Sequence, residues 1–185
     1  MSFFKFLQRG AISPLTGFQW QPGTWVTARG PLAVCGNGAH VLRPQQLAYW
    51  LHEELWRAEV DGEQIEGGDC LVARRVRLTD RIDGWSNGDG LRFAQACLDR
   101  LRARMADATD PKLREHFANY DWAVGWHVEH GNLALAGYVS ALGTAQVAGA
   151  LAEPGSGLNV GTPVDCFRRE RDWQSAWLIR ELRLG

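Results

Sequence analysis

Lysine is almost missing from this chain: Lys5 and Lys112 are its only two, although arginine is plentiful. Neither lysine stands in a glycine-rich loop, which excludes a Walker-type phosphate site. An excess of charge of either sign is also missing. Lys plus Arg is 20 against 21 Asp plus Glu, a formal net charge of −1. The signs are mixed along the chain too, with eight Arg against ten acids in residues 61–110. The basic stripe of a nucleic-acid binder is therefore absent. Cysteine is sparse and scattered, at Cys35, Cys70, Cys97 and Cys166, with no C-x-x-C pair. That spacing offers neither a zinc ribbon nor a redox motif, and free thiols in a reducing cytoplasm are the expectation. The opening stretch Met1–Leu7 has one positive charge and too short an apolar run for a signal peptide.

Long hydrophobic runs are missing as well. Residues 132–152 carry no charge, but Gly137, Gly143, Gly149, Ser140, Thr144 and Gln146 interrupt the apolar residues, most of which are alanine. Such a composition suits a central helix packed on every side better than a membrane span. No membrane role is expected.

What is present is ordinary for a globular chain of 185 residues, 45% hydrophobic and 22% charged. A chain of this size can form a core without staples. Tryptophan is the exception: nine residues, read first as a thick aromatic core and second as a ring-stacking surface.

The first 80 residues are punctuated by glycine and proline, with short strand-like runs at Phe18–Trp20, Thr24–Val26 and Leu32–Val34. Pro44 opens a helix to Leu51, since proline suits a first helical turn. Trp56, Ala58 and Val60 alternate with Arg57 and Glu59, the period of a half-buried strand from Leu55 to Val60, and Asp61-Gly62 reads as its closing turn. Cys70–Leu78 is a second strand, with Val72, Val76 and Leu78 on one face together with Arg74. A loop follows from Thr79 to Gly90.

The second half is helical. Leu91, Ala94, Leu98, Leu101 and Met105 form one stripe, and Leu113, Phe117, Tyr120 and Val124 another. Asp110-Pro111 and Thr162-Pro163 pair a cap residue with a first-turn proline. Asn132 can cap the uncharged helix. Phe167, Trp173, Trp177, Leu178 and Leu182 mark the core face of the last helix.

Several patterns could carry chemistry. In Cys35-Gly36-Asn37-Gly38-Ala39-His40 the glycines permit a sharp turn, and Cys and His could face one space. A structural zinc needs four ligands, so the plain reading is a turn with Cys35 buried and His40 satisfied by backbone. Gly84-Trp85-Ser86-Asn87-Gly88 matches a nucleophile elbow, with Asp107, Asp110 or Asp121 and His116, His127 or His130 in the right order. Its loop context and the lack of repeated strand–helix units argue against that chemistry. His127 and His130 end a helix beside Glu129, Trp122 and Trp126, the densest cluster of titratable and aromatic groups; a cationic histidine there gains from the helix dipole. Gly155–Gly161 departs from a dinucleotide loop in spacing and follows a helix. Arg74, Arg75, Arg77 and Arg81 read as an ion-paired strand, with Asp69, Asp80 and Asp83 nearby.

The run from Cys35 to His40, then Arg43-Pro44, Tyr49-Trp50 and Leu55–Gly62, resembles a family of uncharacterised actinobacterial and phage-associated proteins with an N-terminal Cys-x-x-Gly-x-His turn. Gly17–Trp20 and Arg171–Leu178 look like that family too. The resemblance implies no particular activity. More distantly, the succession of strand, helix at Pro44–Leu51 and strand at Leu55–Val60 is similar to small ADP-ribosyltransferases of the rifampicin-modifying type. That resemblance implies an NAD cleft between two small sheets, with His40 in the site and Tyr49 as an aromatic in the cleft. This chain departs from it on the first strand, where Phe4-Lys5-Phe6 replaces the family's His or Arg.

The expectation is a single α+β domain: a small, mostly antiparallel sheet in a β-rich lobe (1–83) against about four helices in a helical lobe (84–185). Two classes of function follow. One is a non-catalytic binding or assembly module that presents a Trp-rich helical surface to a protein partner or another copy. The other is a small enzyme acting on a nucleotide or NAD-like ligand through His40, His127, His130 and Glu129. Trp20, Tyr49, Trp122 and Trp126 are the candidate ligand-binding residues. Neither NAD nor zinc is favoured as cofactor, and no nucleic-acid partner is expected.

Overall fold

The first strand is laid down by Phe3–Leu7 (β1), where Phe4 and Phe6 alternate with Phe3, Lys5 and Leu7. A computed structural model describes residues 2–85, 87–106, 108, 110–152 and 161–184. β1 is followed by Val26–Thr27 (β2), Ala39–Val41 (β3), a 3-10 helix at Pro44–Tyr49, Glu54–Glu66 (β4) and Leu71–Arg81 (β5). Four α-helices complete the chain: Asn87–Met105 (α1), Pro111–Glu129 (α2), Leu133–Ala150 (α3) and Pro163–Glu181 (α4). The fold is α+β.

The sheet runs β1-β4-β5-β2, all neighbours antiparallel, with β3 also on β5. Phe4 and Leu42 then exchange backbone hydrogen bonds, both 2.8 Å, so the end of β3 returns to β1. The circuit β1-β4-β5-β3 closes, which protects both sheet edges along that contact. Leu7, Val41, Leu71, Ala73, Val76 and Leu78 fill one side of the sheet. Phe4, Phe6, Leu42, Leu55 and Val72 face the other side and join Trp85, Phe93, Cys97, Trp177 and Leu178 from the helices. One apolar cluster thus draws on both halves of the chain.

Several expectations change here. Asp61-Gly62 does not end the strand: β4 continues to Glu66, and the glycine, at φ 78°, sits in a bulge where the register slips between Asp61 and Gln64. Opposite that bulge β5 changes face, so Val72 packs toward the helices while Val76 and Leu78 join Leu71 and Ala73. The runs Phe18–Trp20 and Leu32–Val34 make only isolated bridges. Pro44–Tyr49 is a 3-10 helix, capped by Gln46 Oε1 accepting from Arg43 N at 2.9 Å. The Asn87-Gly88 and Asp89-Gly90 pairs are the first turn of α1 rather than loop. Leu91 on the expected stripe is exposed, and Phe93 and Cys97 take the core instead.

Helix starts follow their caps. Asp110 accepts from Lys112 N at 2.9 Å, and the Thr162 hydroxyl from Asp165 N at 3.2 Å. Asn132 stands at the start of α3, but its side chain makes no cap bond. α3 is long and apolar enough for a membrane span, yet 61% of it is buried against the rest of the chain. It packs against α1, α2 and α4. Its small residues let the backbones approach: a Cβ on Gly137 would stand 3.2 Å from Gly90 O.

The same closeness at α2 gives a test. A methyl on Gly143 would lie 2.4 Å from Tyr120 Cγ and 2.5 Å from Cδ1. Gly143→Ala is expected to destabilise by about 1–3 kcal/mol, the usual range for overpacking. Denaturant titration measures it, and an unchanged midpoint would contradict this α2–α3 packing.

Candidate functional site

The described residues do not gather the sequence candidates into one site. His40 lies on β3, its ring 6.3 Å from Trp50 and its Nε2 accepting from Cys35 N at 3.2 Å. The turn thus satisfies the histidine with backbone, but Cys35 is exposed rather than buried, at φ 57°. Burial and the Lys5 charge hold His40 below its ordinary value. His127, Glu129 and His130 lie at the end of α2, which packs on α3 and α1. No three His, Cys, Asp or Glu side chains among the described residues come together to hold a metal. Ser86 and Asp107 of the elbow pattern, and residues 155–160 of the glycine-rich loop, lie outside the described residues.

Of the aromatic candidates, Trp20 is 3% exposed. Its Nε1 donates to Ser13 Oγ at 2.8 Å, while Phe18 and the Lys5 ammonium cover its ring. No free face is left for a ligand. Trp122 and Trp126 are the reverse, 71% and 42% exposed on α2. Trp126 stacks on His130 with centroids 4.1 Å apart, and His130 Nδ1 lies 2.7 Å from Trp126 O. His127 meets Trp126 edge-on at 5.1 Å, and its Nδ1 is buried without a partner.

Tyr49 lines a groove of about 550 Å³ between the end of the 3-10 helix, the β4–β5 turn and the α3 and α4 ends. Its wall is mainly apolar, with Gly149, Ala150, Val164 and Phe167, and Asp69 and Arg168 add one charge of each sign. Burial pushes the Tyr49 phenol above its ordinary value. The sequence reading missed what lies behind this wall: Arg171, buried on α4.

The arginine run on β5 is ion-paired, with Glu63, Asp61 and Glu59 of β4 opposite Arg74, Arg75 and Arg77. The Arg75 and Arg77 guanidinium carbons also lie 4.8 and 5.0 Å from the Trp25 ring centroid. These cations are thus paired across the strand pair, as the ion-paired reading of the run expects.

Lys5 is the second group the sequence did not single out. Its Nζ donates to His40 O at 2.6 Å and lies 4.9 Å from the Trp20 ring centroid. No family model, curated protein or solved structure matches the chain.

Burial lowers the Lys5 ammonium to about 8 from 10.5. Between those values the unfolded chain holds the proton that the folded chain has released, so this group's contribution to stability rises with pH. Against a Lys5→Met reference, the wild type is expected to gain relative stability as pH climbs from 8 toward 10.5. Parallel melts measure the gap, and a gap constant across that window would refute a lowered amine.

Proposed function

We propose that the protein is a non-catalytic assembly module in which the exposed face of α2 pairs with the same face of a second copy. The observation that carries this reading is the exposure of Trp122 and Trp126 one helical turn apart on α2. Residues at i and i+4 share a helix face, and two adjacent exposed indoles leave a large apolar area in water. Buried aromatic anchors of this type dominate the binding energy of interfaces.

Gly125 supplies the argument for the occupant. A mid-helix glycine costs about 1 kcal/mol relative to alanine. Nothing among the described residues requires one there: a Cβ on Gly125 would meet none of their atoms within 4 Å. The stripe Ala118, Trp122, Gly125, Trp126 therefore holds two large knobs and two small gaps, all exposed. Such a surface is self-complementary, because a two-fold axis near Gly125 sets each copy's indoles beside the other's gaps. A net charge of −1 offers little repulsion against pairing.

Sedimentation and light scattering test the reading. A dimer is expected for the wild type and a monomer for Trp122→Ala/Trp126→Ala. Gly125→Leu separates association from folding: it should stabilise α2 by about 1 kcal/mol yet weaken pairing roughly tenfold or more. A monomeric wild type, or a dimer that survives the double variant, refutes the proposal.

A further inference from the structure

Two of the four cysteines stand at one end of the sheet, where the turn at 33–37 lies against the turn between β4 and β5. Ala33 N donates to Asn37 O at 2.8 Å and closes the first turn; Gly67 N donates to Cys70 O at 2.8 Å and closes the second. Cys35 is exposed in the first, and Cys70 is 1% exposed in the second. The two turns touch: a Cβ on Gly67 would lie 2.9 Å from Cys70 Sγ and 3.4 Å from Val34 Cγ1. Cys35 follows Val34 directly, so its Cα is about 3.8 Å further on. His40 holds the turn from the other side, its Nε2 accepting from Cys35 N at 3.2 Å. Its partner on β5, Val72, shares the Cys70 face of that strand.

Their surroundings give the two thiols different roles. Burial, then the Asp69 charge and the Cys35 thiol beside it, push the Cys70 thiol up to about 11. The thiolate is the nucleophile in disulfide exchange, so Cys70 does not start a reaction with a reagent in solution. Cys35, open to water, meets such a reagent first. Asp69, next to Cys70, is placed to take the proton when the buried sulfur reacts in its turn. The other two thiols, Cys97 and Cys166, are buried on α1 and α4.

We propose that Cys35 and Cys70 are a redox pair, which a low-molecular-weight disulfide converts to an intramolecular bond tying the 33–37 turn to the β4–β5 turn. The Cys35 thiolate attacks one sulfur of oxidised glutathione, forms a mixed disulfide and expels a glutathione thiolate. The Cys70 sulfur, giving its proton to Asp69, then attacks the Cys35 sulfur. The bond from Cys35 to glutathione breaks, and a second glutathione thiolate leaves. Each glutathione thiolate takes up one of the two protons that Cys35 and Cys70 lose. Two protein thiols are oxidised to one disulfide while one disulfide is reduced to two thiols. This site is independent of the α2 face.

Incubation of the reduced full chain with oxidised glutathione, followed by alkylation and peptide mass mapping, tests it. The wild type is expected to lose two hydrogens from its intact mass, with Cys35 and Cys70 in one linked peptide pair. Dithiothreitol should restore both thiols. Cys35→Ser should leave Cys70, Cys97 and Cys166 free. Cys70→Ser should stop at the mixed disulfide, gaining one glutathione on Cys35; if that variant fails to fold, the wild-type map and Cys35→Ser decide. The proposal is overturned if Cys35 does not react, or if the wild type keeps glutathione on Cys35 without forming the link. It is also overturned if Cys35 joins Cys97, Cys166 or a second chain, or if Cys70 is oxidised as fast in Cys35→Ser as in the wild type.

Discussion

Two polar side chains on the inward face of α4, Arg171 and Ser175, hold the two halves of the molecule in register. Glu170 and Gln174 beside them fasten the helix to α1 and α3. Glu170, Arg171, Gln174 and Ser175 are all buried. Ser175 Oγ donates to Gln45 O at 2.9 Å and accepts from Ala48 N at 3.3 Å, while Gln174 Nε2 donates to Ala141 O at 2.8 Å. With the Arg171 bond to Ala48 O, these tie α4 to the 3-10 helix on one side and α3 on the other. Apolar contact alone would allow these elements to slide, because burial is non-directional. Hydrogen bonds in a low-dielectric interior have direction and are costly to break. They set Tyr49 beside Phe167, and so they create the groove.

The same seam explains how far the sequence could be read. Periodicity placed α1 and α2, because Leu98 and Leu101 or Leu113 and Val124 report burial directly, whereas missing charge marked α3 and the Thr162-Pro163 start marked α4. Caps fixed the starts of α2 and α4, since Asp110 and Thr162 satisfy backbone donors there. The α4 face was legible only through Trp177, Leu178 and Leu182. Its four buried polar residues look like a solvated face in sequence, as their partners lie far away in the chain: backbone groups for Arg171, Gln174 and Ser175, and the Arg100 and Arg104 side chains for Glu170. Hydrophobic patterning carries no information about such pairs.

Misread glycine turns have a different cause. Glycine and proline mark a change of direction without saying whether the strand resumes after it. Gly62 shows this: the residue pair that reads as a turn is a bulge, because the strand partner continues past it. Likewise Gly88 and Gly90 lie in a helix, where a Cβ on Gly90 would come 2.9 Å from Leu133 O. Tertiary approach, not turn formation, required that residue. The tryptophans divide along similar lines. Trp85 and Trp177 enter the shared core, and Trp20 joins Leu7, Val41 and Leu71 on the other side of the sheet, as an aromatic core would require. Trp122 and Trp126 remain outside it, and no count of indoles could have separated the two groups.

Energetic balance distinguishes residues that serve the fold from residues that serve something beyond it. Each arginine on β5 from Arg74 to Arg77 has its acid across the strand pair, so that ladder is complete within the chain. Glu170 has two cations and is complete as well. Trp122 and Gly125 leave apolar area in water and a weak point in a helix, and Trp126 stays 42% exposed despite its stacking on His130. Arg171 leaves a donor unfilled where water is excluded. Natural sequences are locally consistent except where function imposes a cost. Among the described residues, the surface of α2 and the buried Arg171 are two places where this chain departs from that consistency. A second copy on α2 would restore it there, through apolar contact that the monomer leaves incomplete.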